Sequence, residues 1–378
     1  MQRLFDWLVE FWDRLRGLLG LNRLTRRGRG DALQGRGVFR RLFYFLRPII
    51  VLFVLGYGAV MIWRFSWVRG EDLAYPQNVL AELPAPAEGG CAESAIVHVQ
   101  QSLLDMLVNQ NDWAPATPQF KFGFFWLVSW EATPFFDNKA AFQRGVLATV
   151  RRMSLELTDT LGRVRGTSGA DPDLEAARSL LTIDERTWII NPFDERLPLL
   201  ATSAASSYRN AMERFAAYDA RLSTCEALFD ARADNLFALL DKFSTDLGST
   251  VDHVASRSQT RVYDVASHSF KDGPGNNLGW FDFRADNLFH EARGRMYALH
   301  GLMQAARVDF TDVIKQRNLD SLWNRMEAHV AEAAALSPLI VSNGAEDGMV
   351  TPAHLTAMAQ YLLRARSNMT EIRDVLAR

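Results

Sequence analysis

Catalytic signatures are missing from this 378-residue chain. It has no Walker loop, no HExxH, no GxSxG elbow and no CxxC, so the best-marked nucleotide, metalloprotease, serine-hydrolase and dithiol chemistries are excluded. The pair His290-Glu291 continues through Arg293 without the second histidine that a helical zinc site needs. Strand punctuation is sparse, while apolar residues recur at three- and four-residue steps over long stretches; this favours an all-α fold over a sheet protein. Lysine is scarce, nearly every basic residue being Arg, which reflects codon bias with no bearing on mechanism. A wholly disordered chain is excluded too, because 48% hydrophobic residues suffice for a substantial core.

Charge is absent from Pro48 to Trp63, and it is unevenly divided on either side of that run. Before it, Met1 to Arg47 hold about eleven Arg against four carboxylates; from Gly70 onward carboxylates outnumber basic residues by about eleven. This is the positive-inside pattern. It predicts a single-pass inner-membrane protein with a cytoplasmic N-terminus and a periplasmic C-terminal domain. The charge-free run falls short of the roughly 20 apolar residues a bilayer needs, so the anchor is drawn from 42 to 68. Arg47 lifts its guanidinium to the headgroups, and Trp63 and Trp67 sit at the outer interface. A cleaved leader is disfavoured by the forty-residue stretch before the apolar run.

The flanks divide into segments. Residues 1–22 plot as an amphipathic helix for the cytoplasmic membrane surface, the apolar residues between Leu4 and Leu19 filling one face, with docking to a partner as the alternative. Residues 23–41 form an Arg/Gly-rich linker. They lack the aromatic platform of a nucleic-acid binder, so no nucleic acid is expected. Residues 69–92 read as a Pro/Gly-containing periplasmic linker, and 93–378 as an elongated helical bundle with long antiparallel helices. Helical patterns cover about 93–112, 138–164, 172–184, 203–265, 283–335 and 352–376. Two seams, Phe229 to Val254 and Leu288 to Val313, predict coiled-coil-like antiparallel packing around a turn at 273–279, with an ordinary bundle core as the alternative.

Few residues invite a chemical role. Cys91 and Cys225 can form a disulfide in an oxidising periplasm, tying the linker's end to a long helix; two separate thiols are the alternative. The seven histidines are scattered, read as surface or satisfied core residues, and no metal or cofactor is expected. An enzyme would have to use acids. Glu131 and Asp137 flank the aromatic stretch Phe120 to Phe136, and Asp171 and Asp173 open a helix, the carboxylates a cell-wall glycan hydrolase needs. Against this, Asp171-Pro172 has the form of an N-cap with Pro at the first helical position, and Asp137-Asn138 also precedes a helix start.

Several strings together carry a resemblance: Asp137-Asn138 with Phe142-Gln143-Arg144-Gly145; Arg165-Gly166-Thr167-Ser168-Gly169-Ala170-Asp171-Pro172-Asp173-Leu174; Asp309-Phe310; Ile340-Val341-Ser342-Asn343-Gly344 with Pro352-Ala353-His354-Leu355; and Tyr361-Leu362-Leu363-Arg364-Ala365-Arg366. With them the chain resembles a family of proteobacterial single-pass inner-membrane proteins catalogued only as a domain of unknown function. The resemblance implies the anchored topology and transfers no activity. The expected function is that of a non-enzymatic envelope protein that meets the lipid bilayer and binds or scaffolds another envelope protein, the hydrolase being the alternative.

Overall fold

The computed structural model describes residues 34–66, 68–84, 91–117, 137–163, 169–188, 202–259, 261–272, 282, 284–344 and 352–378. The surface helix expected at 1–22, the aromatic stretch and the expected turn at 273–279 lie outside these residues. The chain divides at Gly58 into two compact parts.

Helix α1, Gln34–Ser66, begins inside the stretch read as an Arg/Gly linker. Its segment Leu46–Arg64 is the one described helix long and apolar enough to cross a membrane. Leu52, Phe53 and Leu55 are more than 60% exposed, so water is a poor solvent for this surface.

From Ala59 onward the regular elements among the described residues are helices apart from one hairpin. Helix α2 (Tyr75–Ala81) is followed by α3 (Ala95–Asp105), which runs into a π turn at Met106–Gln110 and a 3-10 turn at Ala114–Ala116. Then come α4 (Asn138–Glu156) with its π turn Leu157–Leu161, α5 (Pro172–Leu181), α6 (Ala204–Ser223) and α7 (Ala233–Ser258). Strands β1 (Arg261–Asp264) and β2 (Ser269–Asp272) precede α8 (Ala285–Asp309), α9 (Thr311–Gln316), α10 (Asp320–Ala335) and α11 (His354–Leu376). Local signals explain several starts: Ser94, Asp171 and Ser203 each accept a backbone N–H from the first turn of α3, α5 and α6.

Helix α8 is the hub, buried on nearly every side and packed against α4, α10, α3 and α2. Small residues make this crowding feasible. The antiparallel pairing expected between α7 and α8 is not the principal one: α8 lies chiefly on α4, and α7 lies chiefly on α11. A side chain at Gly145 would place its Cβ 2.0 Å from Glu291 O, and one at Gly294 would place it 2.2 Å from Phe142 O, so both α4 and α8 are bare where they cross. That backbone approach gives α8 a closer neighbour than α7, whose stripe Leu236, Leu240, Phe243, Leu247 and Val251 is buried in the common core.

Two other expectations are corrected. The helical reading of 203–265 breaks at Ser223 and ends at Ser258, after which Arg261-Val262-Tyr263-Asp264 pairs with β2, Tyr263 opposite Phe270. The stretch 69–92 is not merely a spacer, since Tyr75 stacks on Tyr297 at 4.7 Å and its hydroxyl fills the space that Gly301 leaves open. Arg293 adds an ion pair to Glu71.

Candidate functional site

The acids expected to serve a hydrolase have separate surroundings. Glu131 lies outside the described residues. Asp137, buried just before α4, accepts a hydrogen bond from Asn287 Nδ2 of α8 at 2.6 Å. Burial holds the neighbouring Asp286 carboxyl up at about 7, with the charge of Asp137 pushing the same way. Asp171 caps α5, and Arg221 Nη2 donates to it and to Asp173 at 2.7 Å each, while Arg214 also reaches Asp173 at 3.3 Å. These arginines of α6 hold α5 in place.

Two of the expected anchor residues, Arg47 and Trp63, lie on α1. Arg47 is exposed on it, Trp63 lies near its end with the Arg69 guanidinium 3.8 Å from its ring centroid, and Trp67 lies outside the described residues. Arg64 pairs with Asp112, and Lys139 Nζ donates to Arg64 O at 3.0 Å. Burial brings the Lys139 ammonium down to about 8. A cation on the last carbonyls of a helix also suits the helix dipole. Asn111 exchanges hydrogen bonds with the backbone of Arg69, at 2.9 and 2.8 Å.

Cys91 and Cys225 are joined by a disulfide with their Cα atoms 5.6 Å apart. It ties the segment before α3 to the end of α6, beside a cluster the sequence does not announce. Asp309, at the end of α8, accepts from Ser94 Oγ at 2.7 Å, Ala95 N at 2.9 Å and Ile96 N at 3.0 Å, so it caps α3 from a distant element. Burial nonetheless raises its carboxyl to about 6. Asp219 of α6 accepts from Ser94 N at 2.8 Å, and burial pushes it upward as well. His98 stands between Asp219 and Glu93, and these carboxylates hold its imidazolium up to about 9.

A third arrangement is concave. One face of α7 opens into a hollow of about 580 Å³ bounded by Gly248, Asp252, His253 and Arg366. On the other side lies a hollow of about 320 Å³ between Arg152, Asp246 and Arg295, and Ser249 lines both. In the second hollow the arginines are paired: Arg152 makes a bidentate pair with Asp246, at 2.7 and 2.9 Å, and Arg295 pairs with Glu291 at 2.8 Å. Such a surface suits a polar partner better than an apolar one.

The strings that carry the family resemblance turn out to make structural joints. Gln143 bonds Ala114 N and Asp112 O, Gly145 admits α8, Asp309 caps α3, and Ser342 N donates to His354 Nδ1 at 2.9 Å. Asn343 Nδ2 donates to Asp282 Oδ2 and to Arg257 O, completing a buried Arg257–Asp282 pair. The roles of Asp219 and Asp282, and the meeting of His98 with Asp219, are not legible in the sequence because these partners lie far apart along the chain; Asp309 is visible only as part of a short string. No curated protein and no solved structure matches the chain. A family profile does, over residues 128–378, and the chain belongs to that family, described as uncharacterized proteins conserved in bacteria (DUF2333).

Proposed function

We propose that this is a non-enzymatic, membrane-anchored protein of the bacterial cell envelope. In this reading α1 crosses the inner membrane with the N-terminus in the cytoplasm, and the helical domain stands in the periplasm, where it binds or organises another envelope protein. The Cys91–Cys225 disulfide is the observation that carries it, because such bonds persist in oxidising compartments and the bonded domain follows directly on an apolar helix. The positive-inside charge distribution supports the same orientation. The twin hollows beside α7, with Ser249 between them, are the surface assigned to the partner.

A photo-crosslinking residue at Ser249 of the full chain, activated in cells and followed by mass spectrometry, tests the binding. A reproducible adduct with one envelope protein is expected; none above the level of an exposed control site such as Glu371 would end this assignment. Orientation has its own measurement. An alkaline phosphatase fused after Arg378 should be active, and a stable but inactive fusion would refute the periplasmic placement.

The hydrolase reading retains one observation, the Asp137 carboxylate beside an Asp286 proton held to about 7, since glycosidases need one carboxylate ionised and one protonated. Full-length protein incubated with purified peptidoglycan decides it. Release of product that Asp137→Asn abolishes supports hydrolysis, and no release by the wild type ends that reading.

A further inference from the structure

Glu93, His98 and Asp219 converge on one point beside the disulfide. His98 Nε2 lies 2.5 Å from Glu93 Oε2 and 3.0 Å from Asp219 Oδ2, and the three atoms are all within 4.8 Å of one another. One ring nitrogen carries at most one hydrogen. That hydrogen is directed at Glu93, so Asp219 Oδ2 faces the imidazole without receiving a hydrogen bond, on a side chain only 3% exposed. The carboxylate is held in this pose by its other oxygen, which Ser94 N grips at 2.8 Å. His98 offers this buried oxygen an ion pair at 3.0 Å but no directed hydrogen, so its satisfaction is incomplete and a cation bonded to it would complete it.

We propose that Glu93 Oε2, His98 Nε2 and Asp219 Oδ2 form a binding site for one divalent transition-metal ion of the zinc type. The ion takes the place of the Nε2 proton and gives every donor a partner at once. Ligands around tetrahedral zinc stand roughly 3.3 Å apart at bond lengths near 2 Å, so the Glu93 carboxylate must draw back from its 2.5 Å contact with His98 Nε2 to admit the ion. One imidazole with two carboxylates and no free thiolate suits zinc, manganese or ferrous iron and disfavours cuprous copper. His98 and Glu93 are 27% and 22% exposed in their side chains, which leaves an entry path and room for water at a fourth position. The bond from Ser94 N to Asp219 is the outer contact that orients a ligand. Bound there, the ion links the start of α3 to α6, the same two regions that Cys91 and Cys225 join.

The test uses the full chain in detergent, without a histidine tag, stripped by a chelator and titrated with zinc chloride by calorimetry and equilibrium dialysis. One ion per chain is expected, with Glu93→Gln and Asp219→Asn losing it and His329→Ala, whose imidazole sits on α10 beside Glu332, retaining it. Circular dichroism and an intact disulfide establish that the variants are folded. Glu93 carries no backbone of α3, so Glu93→Gln decides the matter if Asp219→Asn unfolds. Cobalt substituted for zinc should show a first shell with a single imidazole by X-ray absorption. No ion bound by the wild type, or binding that survives Glu93→Gln undiminished, overturns the proposal.

Discussion

Gly145 of α4 and Gly294 of α8 each rest on the backbone of the opposite helix, a virtual Cβ at the first falling 2.0 Å from Glu291 O and at the second 2.2 Å from Phe142 O. At this crossing the contact is made by main chain on main chain, with no flexible side chain to yield. The hub position of α8 depends on it, and through α8 so do α3, α10 and the docked segment carrying Tyr75.

Gly145→Ala and Gly294→Ala should each destabilise the protein by about 3 kcal/mol, at the upper end of overpacking effects, since the helices must separate. Gly169→Ala, where nothing lies within 4 Å, should change stability by less than about 0.5 kcal/mol. Denaturant unfolding of the full chain in detergent gives all three values. Equal stabilities for Gly145→Ala and Gly169→Ala would mean that the crossing is looser than described.

Removing the disulfide with Cys91→Ser should lower stability by about 2 to 5 kcal/mol, because the bond closes a long loop, its cysteines 134 residues apart. Alkylation of newly made protein, read on a non-reducing gel, should trap free thiols only before export. A chain that stays reduced in the envelope contradicts both the bond and the compartment.

Asp286 gives a pH dependence of definite sign. Its carboxyl is raised from 3.8 to about 7, first by burial and then by Asp137, while the Asn287 N–H opposes the shift. Asp282, which adds to the repulsion, is itself engaged by Arg257 and Asn343. An acid raised by folding stabilises the fold below its ordinary value, and this contribution disappears as pH climbs through about 7. At roughly 1.4 kcal/mol per unit the loss is at most about 4 kcal/mol. Asp286→Asn keeps the acceptor for Asn287 and should flatten the fall in stability between acid and mildly alkaline pH. Unfolding curves collected across that range should converge in acid and separate in alkali; parallel curves would show that Asp286 titrates normally.

Asp309→Ala takes three hydrogen bonds from the start of α3 and leaves the N–H groups of Ala95 and Ile96 buried without an acceptor. The expected destabilisation is about 2 to 4 kcal/mol. Amide exchange should speed up first at Ala95 and Ile96. Uniform acceleration throughout the domain, with no early change at α3, would contradict a local capping role.

Much of the architecture is legible residue by residue. Asp171 followed by Pro172 marks the start of α5, the three-and-four spacing of Leu236, Leu240 and Phe243 marks a buried helix stripe, and the charge-free run after Arg47 marks an apolar span. The hairpin is a different case. Arg261-Val262-Tyr263-Asp264 extends an amphipathic helical pattern in register, and only pairing with Ser269–Asp272 makes it a strand. At the candidate sites, Cys91 and Cys225 are conspicuous as the two cysteines, whereas Glu93, His98 and Asp219 share no spacing that any single element would impose.

Helix identity, the local caps of α5 and α6 and the apolar span were settled by the order of the residues alone, because each depends on neighbours within a turn or two. Which helices meet was left to the folded chain. The two stripes on α7 and α8 are equally apolar, and the absent side chains at Gly145 and Gly294 admit α4 to α8 and leave α7 to α11. The same holds for the chemistry at the start of α3: Asp219 and Asp309 reach Ser94 across 125 and 215 residues. Convergence over such separations follows from packing and loop closure, which no local pattern records.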